Sequence, residues 1–381
     1  MTCAPLGQKV RAVTAELFAY DRNRSWAALV DANGQEATAP SGTATVPGIN
    51  PAEVHHQGLA IRHILVPLDG SALAECVLPL VTALAKAFSA QITLLRILEA
   101  ARGPGPAPRV DALDWEITRA EAHTYLSTLA AQIQNVTQRP PAIEILQGKA
   151  AEQILHAANA QHADLIALST HGESGLSDWH VSGTAQKVIS GAQHSVLIVP
   201  AHQYADQRNI EMEIHKILVP LDCSQRAECI LPTVSELARL YDAELILAHI
   251  VPEPQLPRRV APSTADLELA AQLTQRNCTE AQRYLREVRT RLSAEPHRIR
   301  VRWRNSAQPA QALNELAEYE KVDLVVVSAH GSSGDAQKRY GGIVEGFVQT
   351  AKRPVIIMQD LAGAAGAETN DVPHQVVRPS H

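Results

Sequence analysis

Short aliphatic runs alternate with longer amphipathic segments between residues 62 and 200. Such runs are typical of buried parallel strands, and apolar residues at helical spacing predict the helices that separate them. The predicted strands are, in order, Ile64–Pro67, Ile92–Leu98, Ile143–Leu146, Leu165–Ser169 and Val196–Val199. The predicted helices cover residues 72–89, 112–137, 150–161 and 182–193. Alternation of this kind implies a parallel sheet with right-handed crossover connections.

The same pattern returns in the second half of the chain. HILVPLD at residues 63–69 recurs as KILVPLD at 216–222, and ADLIALSTHGESG at 163–175 recurs as VDLVVVSAHGSSG at 322–334. Matched blocks in one order indicate an internal duplication. The strands of the second copy are expected near residues 217–221, 244–251, 298–303, 323–328 and 355–358.

The duplication predicts an α/β protein with two tandem domains. Each domain is expected to be Rossmann-like, with a five-stranded parallel sheet and helices on both faces. We place unit one at residues 61–200 and unit two at residues 214–360, joined by a linker at 201–213. Residues 1–60 and 361–381 lie outside the repeat and are predicted to be disordered, apart from a short helical pattern near 8–20.

Composition narrows the class of protein. Hydrophobic residues make up 45% of the 381 residues and aromatic residues only 4%, so the cores must be aliphatic. A net charge of −6 without a basic cluster argues against a nucleic-acid binder. No apolar run reaches the roughly 18 residues of a membrane span, and no signal-peptide pattern begins the chain.

Cysteine and histidine usage points to a reducing compartment, and we predict a cytoplasmic protein. The cysteines form no CxxC pair, and the histidines lack the spacing of metal ligands, so neither a disulfide framework nor a metal site is predicted. The five cysteines are Cys3, Cys76, Cys223, Cys229 and Cys278.

Candidate binding residues lie at the expected carboxyl ends of the strands. In an open parallel sheet, ligands bind there, at the point where the strand order reverses. The first strand ends in Asp69 in unit one and in Asp222 in unit two, and a glycine-containing loop follows the fourth strand at 170–175 and 329–334. The backbone N–H groups of such a loop and the positive end of the next helix can hold a phosphate. A turn or helix-capping role for both aspartates is the alternative.

These segments carry a family resemblance. LVPLDGS at the first strand and SxHGxSG at the fourth resemble universal stress proteins of the nucleotide-binding type, over residues 62–200 and 214–359. The resemblance implies a site for adenine nucleotide, with ATP, alone or with magnesium, as the ligand. It also places a Pro and an Asp of strand one and a residue of strand two around the adenine. The matching residues are Pro67, Asp69 and Ile97 in unit one and Pro220, Asp222 and Ile250 in unit two.

The phosphate motif of that family is G-x2-G-x9-G-(S/T), and both copies depart from it. Serine replaces the first glycine in both units, glycine takes the last position, and serine also replaces the third glycine in unit one. The matching positions are Ser328, Gly331, Gly341 and Gly342 in unit two and Ser169, Gly172, Ser182 and Gly183 in unit one.

The loop charges differ between the units. Between the second and third motif positions, unit one carries Glu173 and Asp178, whereas unit two carries Asp335, Lys338 and Arg339. Cations beside backbone donors favour phosphate, so unit two is predicted to be the better nucleotide site. A solvated rim of charges is the alternative.

Other chemistry-bearing residues recur without a catalytic pattern. His171 and His330 share one loop position, but no nucleophile recurs near them, which favours a structural role over that of a catalytic base. Cys76 and Cys229 fall on the apolar side of a helix and are predicted to be buried. Cys223 is expected near the pocket, with a reactive role as its alternative. No catalytic residue is predicted, so hydrolysis of ATP would be weak at most.

The resemblance implies a nucleotide-binding regulator or sensor of the stress response rather than an enzyme. It also implies pairing through the fifth strands, Val196–Pro200 and Val355–Gln359, to give an intramolecular pseudo-dimer. Association of two chains into a homodimer stays open. The lost motif glycines support a different reading, in which the chain is a nucleotide-independent interaction scaffold with degenerated loops.

Overall fold

The structure is a computed structural model that describes seven ranges of the chain and the backbone of Ala27–Ala28, a two-residue strand named β1. The ranges are 61–99, 112–172, 181–204, 210–256, 261–292, 298–331 and 340–359. The segments 1–60 and 361–381, predicted to be disordered, lie outside the described residues except at β1.

Unit one alternates strands and helices in the order that its sequence predicts. Its strands are β2 (His63–Pro67), β3 (Gln91–Leu98), β4 (Ala142–Gln147), β5 (Leu165–Ser169) and β6 (Ser195–Val199). Its helices are α1 (Ala72–Glu75), α2 (Leu78–Phe88), α3 (Ala112–Thr137), α4 (Ala150–Ala160), α5 (Gly183–Gly191) and the short α6 (Ala201–Tyr204). The predicted linker therefore begins with a helical turn, whose Ala201 and Tyr204 are buried.

Unit two repeats this order. Its strands are β7 (Lys216–Pro220), β8 (Glu244–Pro252), β9 (Ile299–Ser306), β10 (Leu324–Ser328) and β11 (Val355–Met358). Its helices are a 3-10 helix (Ala227–Ile230), α7 (Leu231–Tyr241), α8 (Thr264–Leu292), α9 (Pro309–Tyr319) and α10 (Gly342–Thr350). The paired motifs therefore lie on equivalent elements of the two units.

The single helix predicted over residues 72–89 is wrong, because the structure has two helices there. The first ends at Glu75, and the second begins at Leu78 with Pro79 in its first turn. Proline has no N–H to donate to the preceding turn, so it favours the start of a helix over its interior. Pro232 repeats the break in unit two, where the 3-10 helix precedes α7.

One sheet joins all the strands that the structure describes, in the order β1-β9-β8-β7-β10-β11-β6-β5-β2-β3-β4. The five strands of each unit pair in parallel, in the order third, second, first, fourth, fifth, which is a Rossmann-like arrangement. The units meet where β6 and β11 pair antiparallel, with Leu197 opposite Ile356. The carboxyl ends of the two sets of strands therefore lie at opposite edges of the sheet.

Each face of the sheet has an aliphatic core that both units share. One core includes Leu126 of α3 and Leu285 of α8, and the other includes Val188 of α5 and Phe347 of α10. Burial of this continuous apolar surface holds the two units in one body. Within the described ranges, none of the helices combines the length and the apolar character that a bilayer crossing requires.

Candidate functional site

The strand-one aspartates organise the turn into the next helix. Oδ1 of Asp69 accepts hydrogen bonds from the backbone N–H and the hydroxyl of Ser71, at 3.0 and 2.6 Å. Ser71 in turn caps α1 by accepting from the N–H of Ala74 at 3.1 Å. Asp222 and Ser224 repeat these contacts at 3.1 and 2.6 Å. The turn role is therefore present in the structure, and it engages one carboxylate oxygen of each aspartate.

The other carboxylate oxygen of each aspartate faces the fourth-strand loop. A methyl group at Gly172 would overlap Oδ2 of Asp69 and come within 3.0 Å of its Cγ. A methyl group at Gly331 would overlap Oδ2 of Asp222 and come within 2.7 Å of its Cγ. Glycine is required at both positions because the loop backbone lies against the carboxylate. The two halves of each predicted site are thus in direct contact.

The serines at the first motif position close the loop. The hydroxyl of Ser328 donates to the backbone carbonyl oxygen of His330 at 2.9 Å, and Ser169 donates in the same way to His171. Both histidines are only 4% exposed, and Nδ1 of His171 lies 3.0 Å from the hydroxyl of Thr170. Burial of both rings favours the structural role over that of a catalytic base.

The units differ at the start of the helix that follows the loop. In unit one, Ser182 is the N-cap of α5, and its hydroxyl accepts from the N–H of Ala185 at 3.3 Å. In unit two, Gly341 is the N-cap of α10 and makes no side-chain capping hydrogen bond. The first N–H groups of a helix have no partner inside it and carry the positive end of its dipole. Unit two therefore presents more donors to an anion.

The structure gathers all the predicted residues of unit two around one cavity. Its volume is about 90 Å³, and its wall also includes the apolar side chains of Val327 and Phe347. A methyl group at Gly342 would have no neighbour within 4 Å among the described residues, and the same holds for the equivalent Gly183 of unit one. An apolar wall with donors at one end suits a planar base with an anionic tail. The predicted residues are Pro220, Asp222, Ile250, Ser328, Gly331, Gly341 and Gly342.

The predicted residues of unit one occupy the equivalent positions. Pro67 ends β2, Ile97 lies in β3, and both are half-buried. Ser169 ends β5, while Ser182 and Gly183 begin the α5 segment. The backbone frame is also the same, because the N–H of Ser182 donates to Thr170 at 2.6 Å just as that of Gly341 donates to Ala329 at 2.8 Å.

A difference that the sequence reasoning missed lies on the second strand. Arg96 precedes Ile97, and its guanidinium donates to the carbonyl oxygen of Leu68 at 3.4 Å. The equivalent residue in unit two is His249, whose Nδ1 lies 2.6 Å from the carbonyl oxygen of Leu221. Burial lowers the pKa of His249, although the Leu221 carbonyl and the charge of Asp222 oppose this shift. Unit one therefore has a permanent cation where unit two favours a neutral ring.

Cys223 lies at the mouth of the unit-two site. It is exposed, as expected, and its Sγ lies 3.9 Å from the ring nitrogens of His249. Partial burial of the thiol, together with the nearby carboxylates of Asp222, Glu228 and Glu280, raises the pKa of Cys223 to about 11. The thiol form therefore dominates at neutral pH, which counts against the reactive role.

The two repeated cysteines, Cys76 and Cys229, differ in burial. Burial raises the pKa of Cys76 to about 12, which confirms its prediction as a buried residue. Cys229 is half-buried, and burial also raises its pKa. Its Sγ lies 3.8 Å from the hydroxyl of Ser328, so it packs beneath the unit-two loop.

A glutamate directly precedes each repeated cysteine, and the sequence reasoning assigned it no role. In unit one, Glu75 accepts a hydrogen bond from the hydroxyl of Tyr125 on α3 at 2.9 Å. In unit two, Glu228 pairs with Arg291 on α8 at 2.6 Å. In each unit the glutamate ties the long helix to the segment that follows the strand-one aspartate. Its recurrence in both copies was the signal that could have identified it.

The loop charges that distinguished the units in sequence lie outside the described residues. The preference for unit two that rests on them therefore stays a prediction. Among the residues that the structure does describe, no three His, Cys, Asp or Glu side chains are grouped to hold a metal ion. The charged residues concerned are Glu173, Asp178, Asp335, Lys338 and Arg339.

Two fused Rossmann-like α/β domains, each with an aspartate and a glycine loop at the strand-order reversal, define the class of this protein. The profile of the universal stress protein family matches residues 60–200 and 213–359. Because these two matches span most of the chain, the protein belongs to the universal stress protein family and carries two copies of its domain.

Individual relatives agree with this assignment. Two universal stress proteins of Methanocaldococcus jannaschii are 24% and 27% identical over 153 and 152 residues, respectively. These matches cover 38% and 40% of this chain and 94% and 86% of the relatives. The crystal structure of a universal stress protein from Archaeoglobus fulgidus has a TM-score of 0.55 at 16% identity. It covers 79% of this chain and 98% of its own, which shows the shared fold.

Proposed function

We propose that unit two binds an adenine nucleotide, ATP foremost, and that the protein is a regulator or sensor of the stress response with weak hydrolysis at most. The observation that carries this proposal is the start of α10. There, Gly341 offers no capping side chain to the first helical N–H groups, whereas Ser182 caps the equivalent helix of unit one. Anions bind at helix starts of this kind because the N–H groups and the helix dipole both attract negative charge.

The cavity divides naturally between the two ends of a nucleotide. The base would lie against the apolar side chains near Ile250 and Val327, and the phosphates would extend toward Gly341 and Gly342. Asp222 lines the same cavity and lies against the loop glycine Gly331. A magnesium ion, where one accompanies ATP, would then be held mainly by the phosphates, since the described side chains form no metal-binding group.

We further propose that unit one serves mainly as the structural partner of unit two. The hydroxyl of Ser182 occupies an N–H group that a phosphate would otherwise contact. Arg96 offers unit one a cation near the end of its first strand, which makes weak anion binding there the competing expectation.

The matched variants Asp222→Ala and Asp69→Ala test the proposal in the full-length chain. Each removes the same turn contacts to a capping serine, so the two share one structural cost. We expect purified wild-type protein to bind ATP at one site per chain by calorimetry. Asp222→Ala should weaken binding by about tenfold or more, the usual consequence of losing a charged hydrogen-bonding group. Asp69→Ala should leave the affinity within about twofold, a change too small to count as loss of a contact.

The scaffold alternative predicts different results. In both units the serine that replaces the first motif glycine donates a hydrogen bond to a backbone carbonyl of its own loop. This hydrogen bond would stabilise the loop whether or not a ligand binds. If the wild-type protein releases no nucleotide when it is denatured, and if the folded protein shows no thermal shift with added ATP, our proposal is rejected and the scaffold reading is favoured. Equal losses for the two aspartate variants would reject the preference for unit two.

A further inference from the structure

Tyr340 immediately precedes Gly341 at the end of the unit-two loop. Its side chain is buried, with 9% exposed, and it packs in the core that both units share. Its hydroxyl donates a hydrogen bond to the backbone carbonyl oxygen of Ile189 at 2.9 Å. Ile189 belongs to α5 of unit one. A residue next to the phosphate-facing glycines of unit two is therefore fastened to unit one.

The acceptor is a carbonyl that a helix cannot pair by itself. Ile189 lies in the last turn of α5, where the final carbonyl groups have no partner within the helix. The antiparallel seam between β6 and β11 brings this end of α5 to the edge of the sheet where the unit-two loop lies. Because the hydrogen bond is buried, its loss would leave a polar group without a partner in an apolar surrounding.

Unit two makes this contact to unit one, and unit one has no equivalent residue that could return it. The unit-one residue equivalent to Tyr340 is Val181, and a valine side chain has no donor. Val181 packs against the same core and lies directly before Ser182. In unit one, the hydroxyl of Ser182 caps the start of α5. In unit two, Gly341 provides no capping side chain, and the residue before it, Tyr340, is hydrogen-bonded to unit one instead.

We infer that Tyr340 is a positioning residue, which holds the start of α10 through unit one so that its N–H groups face the unit-two pocket. This inference rests on the proposed nucleotide site of unit two. Two consecutive glycines, Gly341 and Gly342, begin this segment, and glycine has more backbone freedom to lose on ordering than any other residue. An anchor beside them restricts that freedom before a ligand arrives, which improves affinity. The unit-two site is thus incomplete without unit one.

The chain offers a matched pair of tyrosines for the test. Tyr241 of unit two also donates its hydroxyl to a unit-one carbonyl, that of Ala83, at 2.7 Å. Neither tyrosine lines the unit-two cavity, but Tyr340 adjoins Gly341, which does, whereas Tyr241 lies at the end of α7. In the full-length chain, Tyr340→Phe and Tyr241→Phe each remove one hydroxyl and one hydrogen bond between the units. A merely structural role would make the two variants alike.

Affinities for ATP and adenosine separate positioning from stability. Tyr340→Phe should weaken ATP binding roughly three- to tenfold, the value expected for one lost hydrogen bond, and leave adenosine binding unchanged. Tyr241→Phe should change neither affinity, although it should lower the melting temperature by about as much as Tyr340→Phe does. A loss of ATP affinity in Tyr241→Phe as large as that in Tyr340→Phe would overturn the inference.

Hydrogen–deuterium exchange of the nucleotide-free protein supplies a second readout. The amides of residues 340–350 should exchange several-fold faster in Tyr340→Phe than in the wild type or in Tyr241→Phe, because an unanchored helix start opens more often. Unchanged exchange in Tyr340→Phe would contradict the anchor. If the wild type binds no ATP, the proposed function fails, whereas the exchange rates still decide whether Tyr340 holds the start of α10.

Discussion

Units one and two share the backbone frame of their sites and differ in the groups that would face a ligand. In both, an aspartate orients a capping serine and lies against a loop glycine. At the helix start, however, unit one has a capping serine and unit two has a glycine. On the second strand, Arg96 of unit one stands opposite His249 of unit two in the alignment of the repeats.

This difference shows which part of the motif carries information about ligands. Gly172 and Gly331 are required by the aspartates behind them, so their survival reports on packing whether or not a nucleotide binds. The residue at the helix start is under no such restraint, because a serine or a glycine can occupy it. The residue at position 341 therefore says more about ligand binding than the glycines at positions 172 and 331 do.

The largest effect is expected from Gly331→Ala and its counterpart Gly172→Ala. Each new methyl group overlaps an aspartate carboxylate and must displace it from the capping serine. Both variants should lose about 1–3 kcal/mol in the free energy of unfolding, as overpacked sites do. Only Gly331→Ala should also lower ATP affinity, by about tenfold or more. Urea denaturation and calorimetry measure the two effects, and a similar affinity loss in Gly172→Ala would break the comparison.

Exchanging the residues at the helix starts, Gly341 and Ser182, should change ATP affinity by a smaller amount. The affinity should fall in unit two and rise in unit one. Gly341→Ser adds a capping hydroxyl to α10, and we expect ATP affinity to fall about three- to tenfold because the hydroxyl competes for the N–H groups. The free energy of unfolding should change by only a few tenths of a kcal/mol. Ser182→Gly should create or strengthen weak ATP binding in unit one, which is measured most clearly in the Asp222→Ala background.

The fold itself followed from the sequence more fully than the site did. Aliphatic runs and the repeat predicted each strand that the structure describes between residues 63 and 359 and placed Asp222 and Gly331 at one edge. The break before Pro79 was visible in the sequence and was overlooked, because the apolar spacing continues across it. The contact between Tyr340 and Ile189 had no local signal, since it depends on the antiparallel seam that brings distant residues together.

The stability of the protein at mildly acidic pH should depend on His249 of the second strand in unit two. Burial lowers the pKa of His249 below its usual value of about 6.5, so the unfolded chain binds more protons than the folded protein as the pH falls below that value. Folding stability is therefore lost as the pH falls from about 6.5 toward the folded pKa. The equivalent residue of unit one is Arg96.

The drop in melting temperature between pH 7.5 and 5.5 measures this effect in the wild type and in His249→Gln. We expect a drop that is smaller in the variant by about a degree or two. This difference corresponds to a fraction of a kcal/mol in the free energy of unfolding. Burial also lowers the pKa of His194, but that residue is present in both proteins, so the difference isolates His249. An identical drop in the two proteins would assign the acid sensitivity to other groups.

An effect of comparable size is expected from the turn after strand one. Gly70 has a φ of +86°, and Cys223 adopts the same left-handed region with a φ of +67°. This conformation is strained for a residue with a side chain, so Cys223→Gly should stabilise the protein by a few tenths to about 1 kcal/mol. Gly70→Ala should destabilise it by a similar amount. Urea midpoints at an unchanged m-value are the measurement, and two changes of the same sign would show that the turns are not equivalent.

The covalent union of the two units has a consequence for symmetry. In a dimer of identical chains, an isologous contact occurs twice, so any residue chosen for one side of the seam is imposed on the other. The fused chain encodes each side separately, which allows Tyr340 on one side and Val181 on the other. Duplication followed by fusion therefore released this protein from the constraint of a two-fold axis, and one half can specialise in holding the other.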